Sequence, residues 1–299
     1  VAGARDIIDG PSFTPLPNFL WDAAQHPTTG DQHWQNGVTW IERCGGGGTL
    51  YDECLAVTGT GGDPAAQTAL ADNVDQVNRG ATAFSVYTEF DCSPVGQDYM
   101  QDKAEEALGK REAYLVSRAF WTGTSGAANG TGQTTVWPHL AADATLDDPQ
   151  SIRLQTAATP LVTGGEDPAV ALGQLEARLV ECYGGQGVIH MAYEALPTFV
   201  ARGLVRPEGA LLRTVAGNLV VPGQGYTGSS PAGAAPASGT SWIYATGAVF
   251  GFRSDVFVRQ FPDTFDRSEN TVRMIASRTY LLGFDCCHLA ALVNLGVPT

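Results

Sequence analysis

"DYMQDKAEEALGKREAYLVSRAFWTG", Asp98 to Gly123, holds the strongest helical pattern of the chain. Met100, Ala104, Leu108, Leu115 and Ala119 fall on one face at helical spacing, and Glu106 makes an i,i+4 pair with Lys110 on another. The pattern predicts a helix over 98–119, about 33 Å long at 1.5 Å per residue. Gly-rich "FWTGTSGAANGTG" ends it, and "ATAFSVYTEFDCS", residues 81–93, precedes it with the alternation of a strand. The unit is therefore one long helix beside a sheet.

Toward the N-terminus, residues 1–36 read as an extended arm. Pro11, Pro15, Pro17 and Pro27 deny long helices, and Phe13, Leu16, Phe19, Leu20 and Trp21 are scattered apolar anchors. Such an arm has no core of its own and must lie on another surface. "GVTWIERC" and "TLYDECLAVTG" carry β-formers on either side of "GGGG", which predicts a hairpin within 37–62. Asp63-Pro64 then starts a helix running to about Arg79, with Asp as N-cap and Pro at the first helical position.

Toward the C-terminus a second module begins near Pro160. Asp167-Pro168 caps a helix that reaches Tyr183 and closes at Gly184-Gly185, "GVIHM" reads as a strand, and another helix ends at Gly203. "ALLRTVAG", "NLVV" and the aromatic strand "SWIYATGAVFGFR" follow. Residues 270–297 read as two long strands meeting near Gly283-Phe284-Asp285. There is no internal repeat, and the pattern is α+β.

The 299-residue chain is long enough to bury a sizeable core, and no apolar run reaches the length of a membrane span. A net charge of −14, with Lys103 and Lys110 the only lysines among 17 basic residues, repels phosphate backbones and excludes a direct nucleic-acid reader. The six cysteines, 44, 54, 92, 182, 286 and 287, are too sparse for a disulfide-stapled module and read as buried thiols. Cys44 and Cys54 flank the glycine run and are the pair placed to close a small loop. Adjacent Cys286 and Cys287 would point to opposite faces of a strand. The chain opens at Val1, which fits either proteolytic processing or the loss of leading residues from the sequence.

One motif argues for a cofactor on its face. Gly223, Gly225 and Gly228 spell G-x-G-x-x-G behind Leu219-Val220-Val221. A dinucleotide fingerprint needs a helix after the glycines and an acid about 20 residues on. Here Pro231 and Pro236 forbid the helix, and no acid comes before Asp255. The stretch reads instead as strand, turn and surface loop, helix-free over 223–239. His26, His33, Cys44 and Cys54 lack the tight pairs of a structural zinc site. There is no nucleophile elbow, and Cys92, His139 and His190 read as packing residues, His190 in a strand with a satisfied hydrogen bond. No cofactor, metal or catalytic residue is assigned, and the chain is not read as an enzyme.

This order of elements resembles the major capsid proteins of tailed bacteriophages, the Hong Kong 97-type fold shared with encapsulins, and "RAFWTG" and "WIYATG" are similar to segments of phages infecting actinobacteria. The resemblance implies an N-terminal arm at 1–36 ("SFTPLPNFLWDAA"), an E-loop hairpin at 37–62 and a P-domain from 63–159 and 254–299 that holds the spine helix. A mixed α/β A-domain would occupy 160–253. It further implies self-assembly into hexamers and pentamers of an icosahedral shell around phage DNA, in the virion capsid, after assembly in the bacterial cytoplasm. The partners would be the chain itself, with portal, scaffold or maturation protease and decoration proteins. DNA would be a partner only by enclosure, and no membrane is involved. Expected assembly contacts are Phe13, Leu16, Phe19 and Trp21 of the arm, Trp40, Glu42, Arg43 and Tyr51 of the hairpin, and Gly225 and Tyr226 of the glycine loop. Neither lysine lies in the hairpin, so the lysine–asparagine crosslinks of some members are not expected. A minor capsid, decoration or encapsulin-like shell protein is the alternative, and a Cys- or metal-dependent hydrolase the second.

Overall fold

In a computed structural model of the chain, the described residues are 14, 16–28, 32–43, 78–92, 100–124, 136–146, 152–260 and 272–296. They form two sheet-based layers around one long helix. Helix α1 (Phe19–Ala23) and a 3-10 turn (His33–Asn36) precede β1 (Val38–Ile41), β2 (Asn78–Ala81) and β3 (Ala83–Cys92). Helix α2 spans Met100–Thr122. Next come β4 (Thr159–Glu166), α3 (Pro168–Tyr183), β5 (Val188–Ala192) and α4 (Leu196–Ala201). Strands β6 (Val205–Glu208), β7 (Leu211–Thr214), β8 (Leu219–Gly223), β9 (Thr240–Thr246), β10 (Val249–Arg253), β11 (Phe257–Gln260), β12 (Val272–Phe284) and β13 (Leu289–Asn294) complete the order.

Helix α2 follows its apolar pattern. Ala104, Leu108, Val116, Ala119, Phe120 and Trp121 are buried, and Lys110 pairs with Glu106 at 2.7 Å on the wet face. Its partner is the sheet built on β12, which pairs antiparallel with β3 on one side and with β10 and β11 on the other. Arg278 and Tyr280 project from β12 onto α2, where Arg278 Nη1 and the Tyr280 hydroxyl donate to Glu112 at 2.9 and 2.8 Å. This charge-assisted joint lies in partly buried surroundings, where it is stronger than in water.

The second layer is a seven-stranded sheet ordered β4-β13-β9-β5-β8-β7-β6. Helix α3 covers it with Ala171, Leu172, Leu175 and Leu179. Its ends are those the sequence predicts: the Asp167 side chain accepts from Ala169 N, Pro168 opens the first turn, and Gly184 ends it at φ 71°.

Several sequence expectations change. Asn78 and Arg79 belong to β2, which pairs with β1, rather than to the end of a helix; residues 63–77 lie outside the described residues, as do 44–62 of the expected hairpin. The aromatic strand at 241–253 is two strands, because the chain leaves the seven-stranded sheet after Thr246 and enters the β12 sheet at Val249. The last two strands divide as well: β12 stays beside α2, whereas β13 lies between β4 and β9. Residues 254–299 are thus shared between the two sheets, which divide at the 285–288 turn. Cys286 and Cys287 occupy that turn instead of a strand, and Cys287 has φ 64°. Cys287 is bonded to Cys182 and Cys286 is also disulfide-bonded, so these three are not free thiols.

Candidate functional site

The glycine motif is where the two layers meet. Helix-free residues 224–239 leave β8, and Gly225 to Ser229 among them dock on the C-terminal half of α2. The Gly225 N–H donates to Ser117 Oγ at 2.9 Å, and Trp121 Nε1 donates to Ser229 Oγ at 2.9 Å. Each glycine has its own steric reason. A Cβ on Gly223 would overlap the Tyr226 ring, one on Gly225 would overlap the Tyr114 carbonyl oxygen, and Gly228 has φ +65° with Ser241 Oγ 2.5 Å from where its Cβ would be. Gly225 and Tyr226 are buried by these contacts within the chain. Within the chain both dock on α2 through these contacts.

Tyr226 leads into a buried polar relay. His190 on β5 has Nδ1 3.1 Å from the Tyr226 hydroxyl and Nε2 3.1 Å from Thr246 Oγ1. The Thr246 hydroxyl donates to the Gly247 carbonyl at 2.9 Å. With its one proton so placed, Thr246 accepts from His190 Nε2–H, and Nδ1 accepts from Tyr226 O–H. The relay is complete with a neutral imidazole. Burial agrees, holding His190 down to about 3 and raising the Tyr226 hydroxyl well above its usual range. A fully satisfied relay with no exposed member packs the core and offers no general base. Among the described residues no group of His, Cys, Asp and Glu is arranged to hold a metal ion.

The 285–288 turn ties four further elements together, one through each of its side chains or neighbours. The Asp285 carboxylate accepts from the Arg43 N–H at 3.2 Å, at the base of the expected hairpin. The Cys286 carbonyl accepts from Gly247 N at 2.9 Å, and Cys287 is bonded to Cys182 in the last turn of α3. His288 places Nε2 2.7 Å from the Leu140 carbonyl and Nδ1 3.1 Å from that of Thr156. The sequence placed the junction near Gly283-Phe284-Asp285 and put Cys286 and Cys287 in a strand, so the contacts of this turn were not anticipated. Its signal is "DCCH", four chemistry-bearing residues in a row between two apolar strands.

The remaining expected contact residues lie toward the surface. Leu16 is 58% exposed; Phe19 packs against the core, and Trp21 stacks on His26 at 4.1 Å beneath the Arg253 guanidinium. Trp40 meets Phe250 edge-on at 4.8 Å, in a cleft it lines with Ile41, Tyr183, Phe252 and Asp285. Glu42 is paired with Arg79, and the Arg43 side is exposed. Phe13, Tyr51, Cys44 and Cys54 lie outside the described residues.

No family model matches the chain, and no curated protein does. Solved structures do. The capsid of a native GTA particle aligns at TM-score 0.53 and 10% identity, over 99% of this chain and 95% of that one. The holo-SrpI encapsulin complex from Synechococcus elongatus PCC 7942 aligns at 0.51 and 11%, over 98% and 92%. The capsid of Ralstonia phage GP4 aligns at 0.51 and 9%, over 100% and 97%. A long helix beside the β12 sheet, joined to a seven-stranded sheet by a shared turn, is thus the Hong Kong 97-type fold, carried by this chain over nearly its whole length.

Proposed function

We propose that the chain is a shell subunit, a major capsid protein that self-assembles into hexamers and pentamers of an icosahedral particle enclosing phage DNA. The observation that carries this reading is the near-complete coverage of both partners in each alignment to a shell-forming chain. A fold is not a function. Here, however, the neighbours share an assembled state, and the arm and the β1–β2 base are built as contact elements. Leu16 and Ile41 present apolar side chains to the surface at 58% and 50% exposure. The role is structural rather than catalytic, and the His190 relay, closed by Tyr226 and Thr246 inside the core, fits that reading. Residues 159–246 with β13 form the A-domain, and α2 with the β12 sheet, β10 included, forms the P-domain. The assembled shell is the virion capsid, with portal, maturation protease and decoration proteins as further partners. No helix among the described residues is long and apolar enough to cross a membrane.

The encapsulin alignment favours a second reading, a shell that encloses protein rather than DNA. Electron microscopy and sedimentation of the purified chain test the first reading. Closed particles with five- and six-fold capsomers are expected, and a chain that stays monomeric across salt, pH and crowding conditions would overturn it. Particles isolated with nuclease-protected DNA support the capsid reading, and particles holding a co-purified protein support the encapsulin one.

A further inference from the structure

We infer that Cys182 and Cys287 form a redox-operated lock on the turn that joins the two sheets, closed after the chain has folded. The inference rests on the shell reading only for its purpose, to stiffen particles that leave a reducing cytoplasm.

The geometry separates the lock from the fold it secures. Without the disulfide, the turn is already held by Asp285 N to the Ala248 carbonyl at 2.9 Å, Gly247 N to the Cys286 carbonyl at 2.9 Å and Thr159 N to the His288 carbonyl at 2.8 Å. Helix α3 is fixed independently, through Leu172, Leu175 and Leu179 against the seven-stranded sheet and through Gly184 at its end. These non-covalent contacts bring the two cysteines to a Cα–Cα distance of 5.9 Å, the usual separation of a disulfide. The dithiol chain therefore reaches the same fold, and oxidation adds a crosslink across 105 residues. A crosslink of that span restricts the unfolded chain most.

Closure needs an oxidant, and a small-molecule disulfide such as glutathione disulfide supplies it by thiol exchange. Cys182 is the half-buried member, whereas Cys287 is 8% exposed, so the Cys182 thiolate attacks first. A mixed disulfide forms and one small thiol leaves. The Cys287 thiolate then attacks the Cys182 sulfur, the protein disulfide forms and the second small thiol leaves. Two cysteine thiols lose two electrons and two protons, and one small disulfide gains them.

The test uses the purified full chain carrying Cys286→Ser, because a phosphine would also open the disulfide of Cys286; it is reduced with a phosphine or oxidised with glutathione disulfide, with alkylation and mass spectrometry reporting the state of Cys182 and Cys287. Both forms are expected to unfold cooperatively, the reduced one about 5 °C lower. Cys182→Ser and Cys287→Ser should each lower the oxidised melting temperature by the same amount, and the double variant should add nothing further. Equal melting of the two forms, with alkylation proving the pair open in one of them, would overturn the lock. So would a reduced chain that fails to fold, because the bond would then be a requirement rather than a later addition. Microscopy of the same two samples reads the shell proposal separately: particles missing from both would sink that proposal and leave the melting result standing.

Discussion

The backbone N–H of Gly225 donates to the hydroxyl of Ser117 at 2.9 Å, joining a loop to the middle of a helix 108 residues earlier. That contact demands a residue without a Cβ, since any side chain would enter the space of the Tyr114 carbonyl.

Gly225→Ala is therefore expected to destabilise the chain by about 3 kcal/mol or more, through overpacking and loss of the Ser117 bond. Gly173→Ala is the control. Nothing lies within 4 Å of its added Cβ in the exposed face of α3, so it should stabilise by about 0.5–1 kcal/mol. Urea unfolding of both variants checks the pair, and a neutral Gly225→Ala would refute the docking argument.

Glu112 accepts from both Arg278 and Tyr280, so Glu112→Gln leaves a partly buried guanidinium without its counter-charge. A loss of about 2–3 kcal/mol is expected, with Tyr280→Phe costing about 1 kcal/mol. Their double-mutant cycle should show coupling, because the two side chains share one carboxylate oxygen. Additive losses would place the stabilisation elsewhere.

Burial holds His139 and His288 down to about 4 and His190 to about 3, whereas the unfolded chain protonates each near 6.5. Below pH 6.5 the unfolded form binds more protons, so stability falls as pH drops from about 6.5 to about 4, and these groups add no further loss once below their folded values. Each contributes up to about 1.4 kcal/mol per pH unit inside that window. The urea midpoint should decline between pH 7 and pH 5, and less steeply in His190→Gln; a flat profile would contradict neutral buried rings.

Leu16→Ser and Ile41→Asp remove surface apolar groups and should change monomer stability by less than about 0.5 kcal/mol. If these side chains face neighbouring subunits, particle yield should drop sharply while the unfolding midpoint stays put. Sedimentation alongside urea unfolding separates the two effects, and unchanged yield in both variants removes them from the contact surface.

Local signals made much of this legible. Helix α2 was readable from Ala104, Leu108 and Ala119, and α3 from Asp167, Pro168 and Gly184, because spacing and caps act within a few residues. What sequence reading lost was pairing at a distance. Nothing near Val249 announces that β9 and β10 enter different sheets, and nothing near Leu289 announces that β13 lies beside β4. The glycine motif shows the same division. Its turn and its close packing were legible, but the partner was not, since Ser117 and Trp121 stand in another element altogether. Cys182 and Cys287 escaped for the same reason.

The 285–288 turn has a consequence for how the molecule is made. Its contacts reach back 242 residues to Arg43, 148 to Leu140 and 105 to Cys182. Closing such long loops is slow, and none can close until the ribosome has delivered the chain through His288. A truncated chain lacks the piece that fastens its early segments, and leaves exposed the surfaces that β12 and β13 would cover. The order of synthesis thus sets the order of closure, and the two sheets stay unfastened until translation has passed this turn.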